Sequence, residues 1–485
     1  MIEKRGKKPI IRMLQDDEID RIHLSTLDLL EKVGLYSDSQ TILNVFRNGG
    51  ANVDLSRKTI KIPRHIVEES IKKVPREVKF FGRGSKHDLV ISSYETHFGM
   101  GGTPVPFVRD IETGEIRRSR IKDVEDSARV GDFLPNMDFI MTTAAACDVP
   151  SELEYEYEWE ALLTNSEKPI IYVALGSRSS RNIIKMLATV AGDIKNLRKR
   201  PIAGLYADLE SPLYFPEYND NIIEFAKVGI PIALGAAAHT GVTAPVTLAG
   251  ALVMSNAMNL SAITLTQLVN PGTPVIYAAE VNAVDPWTLK IPYGDPERAI
   301  TTSIVNAQLA DYYGFPTFGY AGCADSKLPD AQAGAEVMMH TLMSALSRIN
   351  FIHDCGYLAS GNVGSLEMAV ICDEIISIVT RIARGIEVND ETLAMEVMRE
   401  VGPKGSFLSH KHTAKWLRQE IFIPKLFDRK SLEEWMKTGK KDISSVAREK
   451  AIKILKEHHP DPLSKEIKQE IKEIIEQSKC FINPP

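Results

Sequence analysis

The sequence predicts a (β/α)8 barrel, an α/β TIM barrel with helical additions at both ends. Eight short runs rich in Ile, Val, Tyr and Ala follow one another from residue 97 onward. They recur roughly every 30 to 40 residues, the length that a strand, a helix and their loops require. The segments between them have helical periodicity, as βα units around a parallel sheet should. The runs are His97–Gly102, Asp138–Ala145, Ile170–Leu175, Ile202–Ala207, Ile232–Ala237, Pro274–Glu280, Pro316–Gly322 and Asn350–Gly356. An open, doubly wound sheet of the same units is the alternative. The first run is not followed by G-x-G-x-x-G, which weighs against the dinucleotide-binding form of that alternative.

In chain order, residues 1–95 form an N-terminal helical region, with helices over Asp17–Lys32, Gln40–Arg47 and Pro63–Lys73 before a Gly82-Arg83-Gly84 turn. The barrel occupies 96–386. Within it Ser151-x-x-Glu154 reads as a capping box, Gly192 and Gly229 as helix stops, and Asp295 before Pro296 as a helix start. The longest apolar stretch, Leu252 to Leu268, is interrupted by Ser255, Asn256, Asn259, Ser261, Thr264, Thr266 and Gln267. That makes it a buried helix rather than a membrane span. Residues 387–485 form a C-terminal helical region ending in the charged run Ser464–Gln477, which reads as a solvated face.

Composition narrows the function. With 485 residues, 44% apolar and 25% charged, the chain has material for a large core. Its 58 Lys and Arg are outnumbered by 64 Asp and Glu, so no dominant basic surface awaits nucleic acid. Lys4, Arg5, Lys7 and Lys8 are followed by only a brief apolar stretch before Arg12 and Gln15-Asp16-Asp17-Glu18, which is not a signal-peptide pattern. A cytoplasmic protein is expected. Cys147, Cys323, Cys355, Cys372 and Cys480 show no C-x-x-C spacing and read as free thiols, with no structural zinc site.

In such a barrel the reacting groups sit where strands end and βα loops begin. The first strand leads into Gly99-Met100-Gly101-Gly102-Thr103, whose backbone has room to approach a ligand and amides to hold a carboxylate, or merely makes a tight turn. Asp208, Glu280 and Asp325 are carboxylates placed to face a cation or to tie loops together. Lys327 reads as a salt-bridge partner of Asp325. His239 and His353 can bind, exchange protons or simply line the mouth. Metal binding is disfavoured, because no His-Glu-x-x-His or close Cys/His cluster accompanies them and His410-Lys411-His412 does not share a helix face. No G-x-S-x-G elbow or Cys/His pair marks a nucleophile, and Cys323 and Cys355 read as small wall residues. No catalytic residue is assigned. Tyr206, Tyr214, Phe215, Tyr277, Phe318, Tyr320, Phe351 and Tyr357 cluster near strand ends. Any one of them suits core packing; beside the carboxylates, the group suits a quaternary ammonium ion, which donates no hydrogen bond and is held by cation–π attraction.

These residues also carry a family resemblance. Phe98-Gly99-Met100-Gly101-Gly102 with Arg109-Asp110-x-x-Thr113-Gly114-Glu115 is one motif; Asp325-Ser326-Lys327-Leu328-Pro329-Asp330-x-Gln332-Ala333-Gly334 and His353-x-x-Gly356-Tyr357-Leu358 are two more. Glu367-x(5)-Asp373-Glu374 and Pro460-x-Pro462-Leu463 agree with them. Over nearly its whole length the chain resembles the trimethylamine methyltransferase superfamily, in the pyrrolysine-free branch that includes glycine betaine methyltransferase. The resemblance implies a barrel that moves a methyl group from a methylated amine to the Co(I) corrinoid of a separate partner protein, in methylamine metabolism. The family's trimethylamine enzyme carries pyrrolysine near the seventh strand end. Here the aligned stretch Gly319–Cys323 holds only standard residues, which points to a quaternary amine such as glycine betaine. Phe351-x-His353-x-x-Gly356 lacks the Asp of a corrinoid-binding Asp-x-His-x-x-Gly, so the cofactor is expected to arrive on its partner.

The resulting substrate-binding set is Gly101, Gly102, Thr103, Tyr206, His239, Tyr277, Glu280, Phe318, Tyr320, Asp325, His353 and Tyr357. The Gly99–Gly102 backbone or His353 would take the substrate carboxylate, and the aromatic faces with Glu280 the cation. A homo-oligomer with no metal of its own is expected. The alternatives are a methyltransferase for another methylated amine and a non-catalytic betaine-binding or sensing barrel.

Overall fold

A computed structural model describes residues 11–91 and 95–482. Lys4, Arg5, Lys7 and Lys8 of the N-terminal reading, and the Cys480 side chain, lie outside the described residues. All eight expected runs are strands: β1 (His97–Met100), β2 (Phe139–Ile140), β3 (Ile170–Tyr172), β4 (Ala203–Leu209), β5 (Ile232–His239), β6 in two pieces (Val275–Ile276 and Ala279–Asn282), β7 (Phe318–Tyr320) and β8 (Phe351–Cys355). Parallel pairing runs from β1 through β6, and β7 pairs with β8, which returns to β1 at Phe351 and His97. Strands buried on both sides read as continuous apolar runs, which is why they stood out in the sequence.

Closure depends on the seam between β6 and β7. Tyr277 bridges to Thr317, with its amide donating to Pro316 O at 2.9 Å and its carbonyl accepting from Phe318 N at 2.8 Å. The Asn306 side chain joins the same two strands: Oδ1 accepts from Ala279 N and Nδ2 donates to Phe318 O, both at 2.8 Å. With that seam made, the sheet is a closed barrel and not an open doubly wound one.

The barrel's lower end is filled by aromatic rings. Phe139, Phe318 and Phe351 meet at centroid distances of 5.6 to 6.5 Å. Phe80, from the N-terminal hairpin Val78–Phe80 and Leu89–Ile91, stands edge-on to Phe351 at 5.5 Å. Gly204 makes room for it, since a Cβ there would lie 2.8 Å from the Phe80 ring.

The helix Leu248–Val269 is long and apolar enough to cross a membrane, yet it is mostly buried inside the fold. The N-terminal helices Asp16–Lys32, Gln40–Asn48 and Arg64–Lys73 pack over it. Its polar residues all face partners: Ser255 Oγ donates to Ala236 O, Asn259 to Ala278 O, and Asn256 to Thr26 and Tyr313. Polar interruptions in an apolar helix are tolerated when each finds a hydrogen bond.

Gly192 and Gly229 end their helices at positive φ, and Asp295 caps the helix that begins at Pro296 through Arg298 N. The Ser151-x-x-Glu154 box does not form: a 3-10 turn over Ser151–Leu153 leads into the helix Glu154–Asn165 without a side-chain cap. The first 95 residues also contain the strands Leu35–Ser37, Asn52–Asp54 and Thr59–Lys61, joined by Tyr214–Phe215 from the loop after β4. That pairing takes Tyr214 and Phe215 into the N-terminal sheet. The terminal helix Lys465–Ile482 is not wholly solvated, because Ile471 and Ile475 are buried and it packs on Gly176–Ala191. Between 386 and 437 lie only short helices, and Leu426 alone is buried among those residues, while Ile386, Val388, Leu408, Ile423 and Leu432 are exposed.

Candidate active site at the barrel mouth

A cavity of about 870 Å³ opens at the C-terminal ends of the strands. Its base is His353, stacked on Phe318 at 4.5 Å and tilted against Tyr206 at 5.6 Å. Neither His353 nitrogen makes a hydrogen bond, although Nδ1 stands 2.9 Å from Asp354 Oδ1, because the two side chains are neighbours on the chain and meet at an unfavourable angle. An imidazole buried without partners is available to a ligand.

Asp208, Glu280 and Asp354 bring three carboxylates to this cavity. Asp208 is the penultimate residue of β4, and burial, reinforced by the charge of Glu280, pushes its pKa up to about 7. Burial likewise raises Glu280, against the opposing pull of His353 and Arg298. Tyr206 reaches Glu280 Oε1 with its hydroxyl at 3.4 Å. Burial therefore favours the uncharged form of Asp208 and Glu280, and a cation in the cavity would favour the charged form.

Asp354 owes its place to a bulge. The β8–β1 register shifts between Ile352 and Cys355, and Asp354 takes a φ of +72°. A simple strand would turn it away from its neighbour's face; the bulge re-aims it into the mouth. Gly102 lies against it, and a Cβ at Gly102 would collide with Asp354 Oδ1.

Arg298 enters from the helix after β6. It is 1% exposed and sits between the rings of Tyr293 and Tyr320, whose centroids are 3.7 and 3.5 Å from its Cζ. The helix changes to a π-helical stretch over Ala299–Val305 before Asn306. Such turns often accompany functional sites.

Of the residues expected from sequence, Thr103, Tyr206, His239, Glu280, Tyr320, His353 and Tyr357 line the cavity together. His239 Nδ1 lies 3.3 Å from Asn282 Nδ2, and burial lowers its pKa. Phe318 lies beneath His353 as its support. Tyr277 points outward, donating to Asn256 Oδ1 at 2.8 Å. Gly101 N donates to Cys355 O, and Gly102 N to Thr142 O and the Tyr357 hydroxyl, so these amides are already engaged. Asp325 accepts from Tyr293 N, Gly294 N and Ser360 Oγ and so ties three loops together. Lys327 Nζ donates to the backbone oxygen of Asp325 at 2.8 Å and not to its carboxylate, contrary to the expected salt bridge.

Sequence reasoning missed Arg298, Tyr293 and Asp354. Arg298 stands in the first turn after Asp295-Pro296, where a basic residue reads as solvated, and the bulge hid Asp354. Among the described residues, no group of three or more His, Cys, Asp or Glu side chains is arranged to hold a metal ion.

A family model described as trimethylamine methyltransferase (MTTB) matches residues 2–482. Trimethylamine methyltransferase MttB of Desulfitobacterium hafniense (strain DSM 10664 / DCB-2) is 34% identical over 96% of this chain and 93% of that protein. MttB of Methanosarcina barkeri (strain Fusaro / DSM 804) is 32% identical over 97% of this chain and 96% of that one. The glycine betaine methyltransferase of Desulfitobacterium hafniense (strain Y51) is 30% identical over 97% of both. A solved dihydropteroate synthase from Xanthomonas albilineans aligns at 10% identity and a TM-score of 0.38, covering 64% of this chain and 100% of that one. So low a score adds nothing to the strand order already described.

Proposed function

This chain belongs to the trimethylamine methyltransferase family, and on that premise we propose that it removes a methyl group from a quaternary amine and delivers it to the Co(I) corrinoid of a partner protein. The observation that carries the substrate reading is the meeting of Asp208, Glu280 and Asp354 with the Tyr206 ring in one mouth cavity. Carboxylates and a ring face attract a cation without needing a proton from it. Glycine betaine is the first substrate to try, since the stretch Gly319–Cys323 holds only standard residues.

A reduced corrinoid on the partner would supply the nucleophile for the methyl carbon, and the electrons of the C–N bond would leave with nitrogen. The departing tertiary amine is neutral, so the barrel needs no acid to protonate it. The chain's own work is positional: the carboxylates and Tyr206 fix the ammonium, His353 and Phe318 floor the cavity, and the surrounding walls exclude water. The corrinoid stays on the partner, and the reading places both proteins in the cytoplasm. The exposed apolar side chains of 386–437 support assembly with further copies of this chain.

The test mixes the protein with a Co(I) corrinoid protein and a panel of methylated amines, following methylcobalt absorbance. Methylation by glycine betaine or another quaternary amine, with trimethylamine inert, is the expected result. Turnover of trimethylamine alone would point to another donor, and tight betaine binding without turnover to a sensing barrel.

A further inference from the structure

Arg298 has no part in holding the ammonium group. Its side chain is almost wholly buried, yet Nε and Nη1 make no hydrogen bond and it joins no ion pair among the described residues. Tyr293 and Tyr320 offer their π faces, which steady the charge but supply no in-plane acceptor. Asp295 is engaged as the helix cap through Oδ1, which accepts from Arg298 N at 2.7 Å, and its Oδ2 is buried without a partner. A buried guanidinium whose N–H groups find no acceptor is costly, and a protein keeps one where a hydrogen-bonding anion will come.

Arg298 lines the same cavity as the three carboxylates, and Lys290 and Lys327 line it as well. The mouth thus carries both signs of charge. We infer that Arg298 is the residue that receives the substrate carboxylate, and so the contact that selects a betaine over a quaternary amine with no acid group. The inference rests on the quaternary-amine reading and narrows it. A carboxylate matches the guanidinium edge with two parallel hydrogen bonds, while the ammonium end of the same molecule meets Asp208, Glu280 and Asp354. It also moves the expected anion site away from Gly101 and Gly102, whose amides are engaged by Cys355, Thr142 and Tyr357.

Calorimetric titration of the full chain with glycine betaine, its methyl ester and tetramethylammonium tests this without turnover. The ester keeps the quaternary nitrogen and loses the negative charge. The intact protein should bind the acid about 10- to 100-fold more tightly than the ester, as a charge-assisted hydrogen-bond pair implies. In Arg298→Met that ratio should fall below about threefold, with tetramethylammonium affinity changed less than about threefold. If Arg298→Met does not fold, Arg298→Lys decides, because it keeps the charge but loses the fork, and the ratio should narrow by about threefold or more. Equal binding of acid and ester by the intact protein, or an unchanged ratio in the variants, would overturn the role of Arg298. Failure of all three ligands to bind would overturn the quaternary-amine reading itself.

Discussion

At Asp208 the affinity for a cation becomes a function of pH near neutrality. Its pKa of about 7 in the folded chain stands above the ordinary value of 3.8. Folding therefore favours its neutral form, and the stability it contributes is fully present below about pH 4 and lost as pH rises through about 7. A bound quaternary cation reverses that preference. Affinity should therefore rise as pH goes from 6 to 8, by up to about tenfold per unit below the pKa and levelling above it. Asp208→Asn should flatten this profile and weaken binding about tenfold, measured by calorimetry across the same range. Strand-end placement made Asp208, Glu280 and Tyr206 legible in the sequence, because their side chains obey the alternation of an undistorted strand. Asp354 and Arg298 were not legible: one is re-aimed by a bulge and the other is drawn inward between the ring of Tyr293, five residues earlier, and that of Tyr320 on β7.

The strands and helices of the barrel were readable because each is a local pattern of burial. The seam between β6 and β7 was not, since it rests on a single short bridge, Tyr277 to Thr317, and on a side chain, Asn306, set after a π-helical stretch. Asn306→Ala should leave Ala279 N and Phe318 O unsatisfied in the core. The expected loss is about 1–3 kcal/mol for each orphaned group, read from urea unfolding with an unchanged m-value. Asn306→Asp retains an acceptor but no donor and should lose as much or more. The three-residue strands of the N-terminal region escaped notice for a related reason: they are too short for a period of two to emerge, and their sheet is completed by Tyr214–Phe215 from the barrel.

At the scale of the whole molecule, residues 386–437 leave many apolar side chains exposed, with Leu426 alone buried among them. If this segment is where copies of the chain meet, Leu408→Asp with Ile423→Asp should shift the molar mass from light scattering toward one chain while leaving circular dichroism unchanged. The aromatic plug at the other end of the barrel has a kinetic consequence. With Phe80, Phe139, Phe318 and Phe351 filling the base, substrate cannot enter from below. If amine and corrinoid partner react as proposed, they must share one doorway, so the smaller has to go in first and come out last. Steady-state rates should show a compulsory order of addition. Excess partner protein should inhibit by covering an empty mouth, and raising the amine concentration should relieve that inhibition.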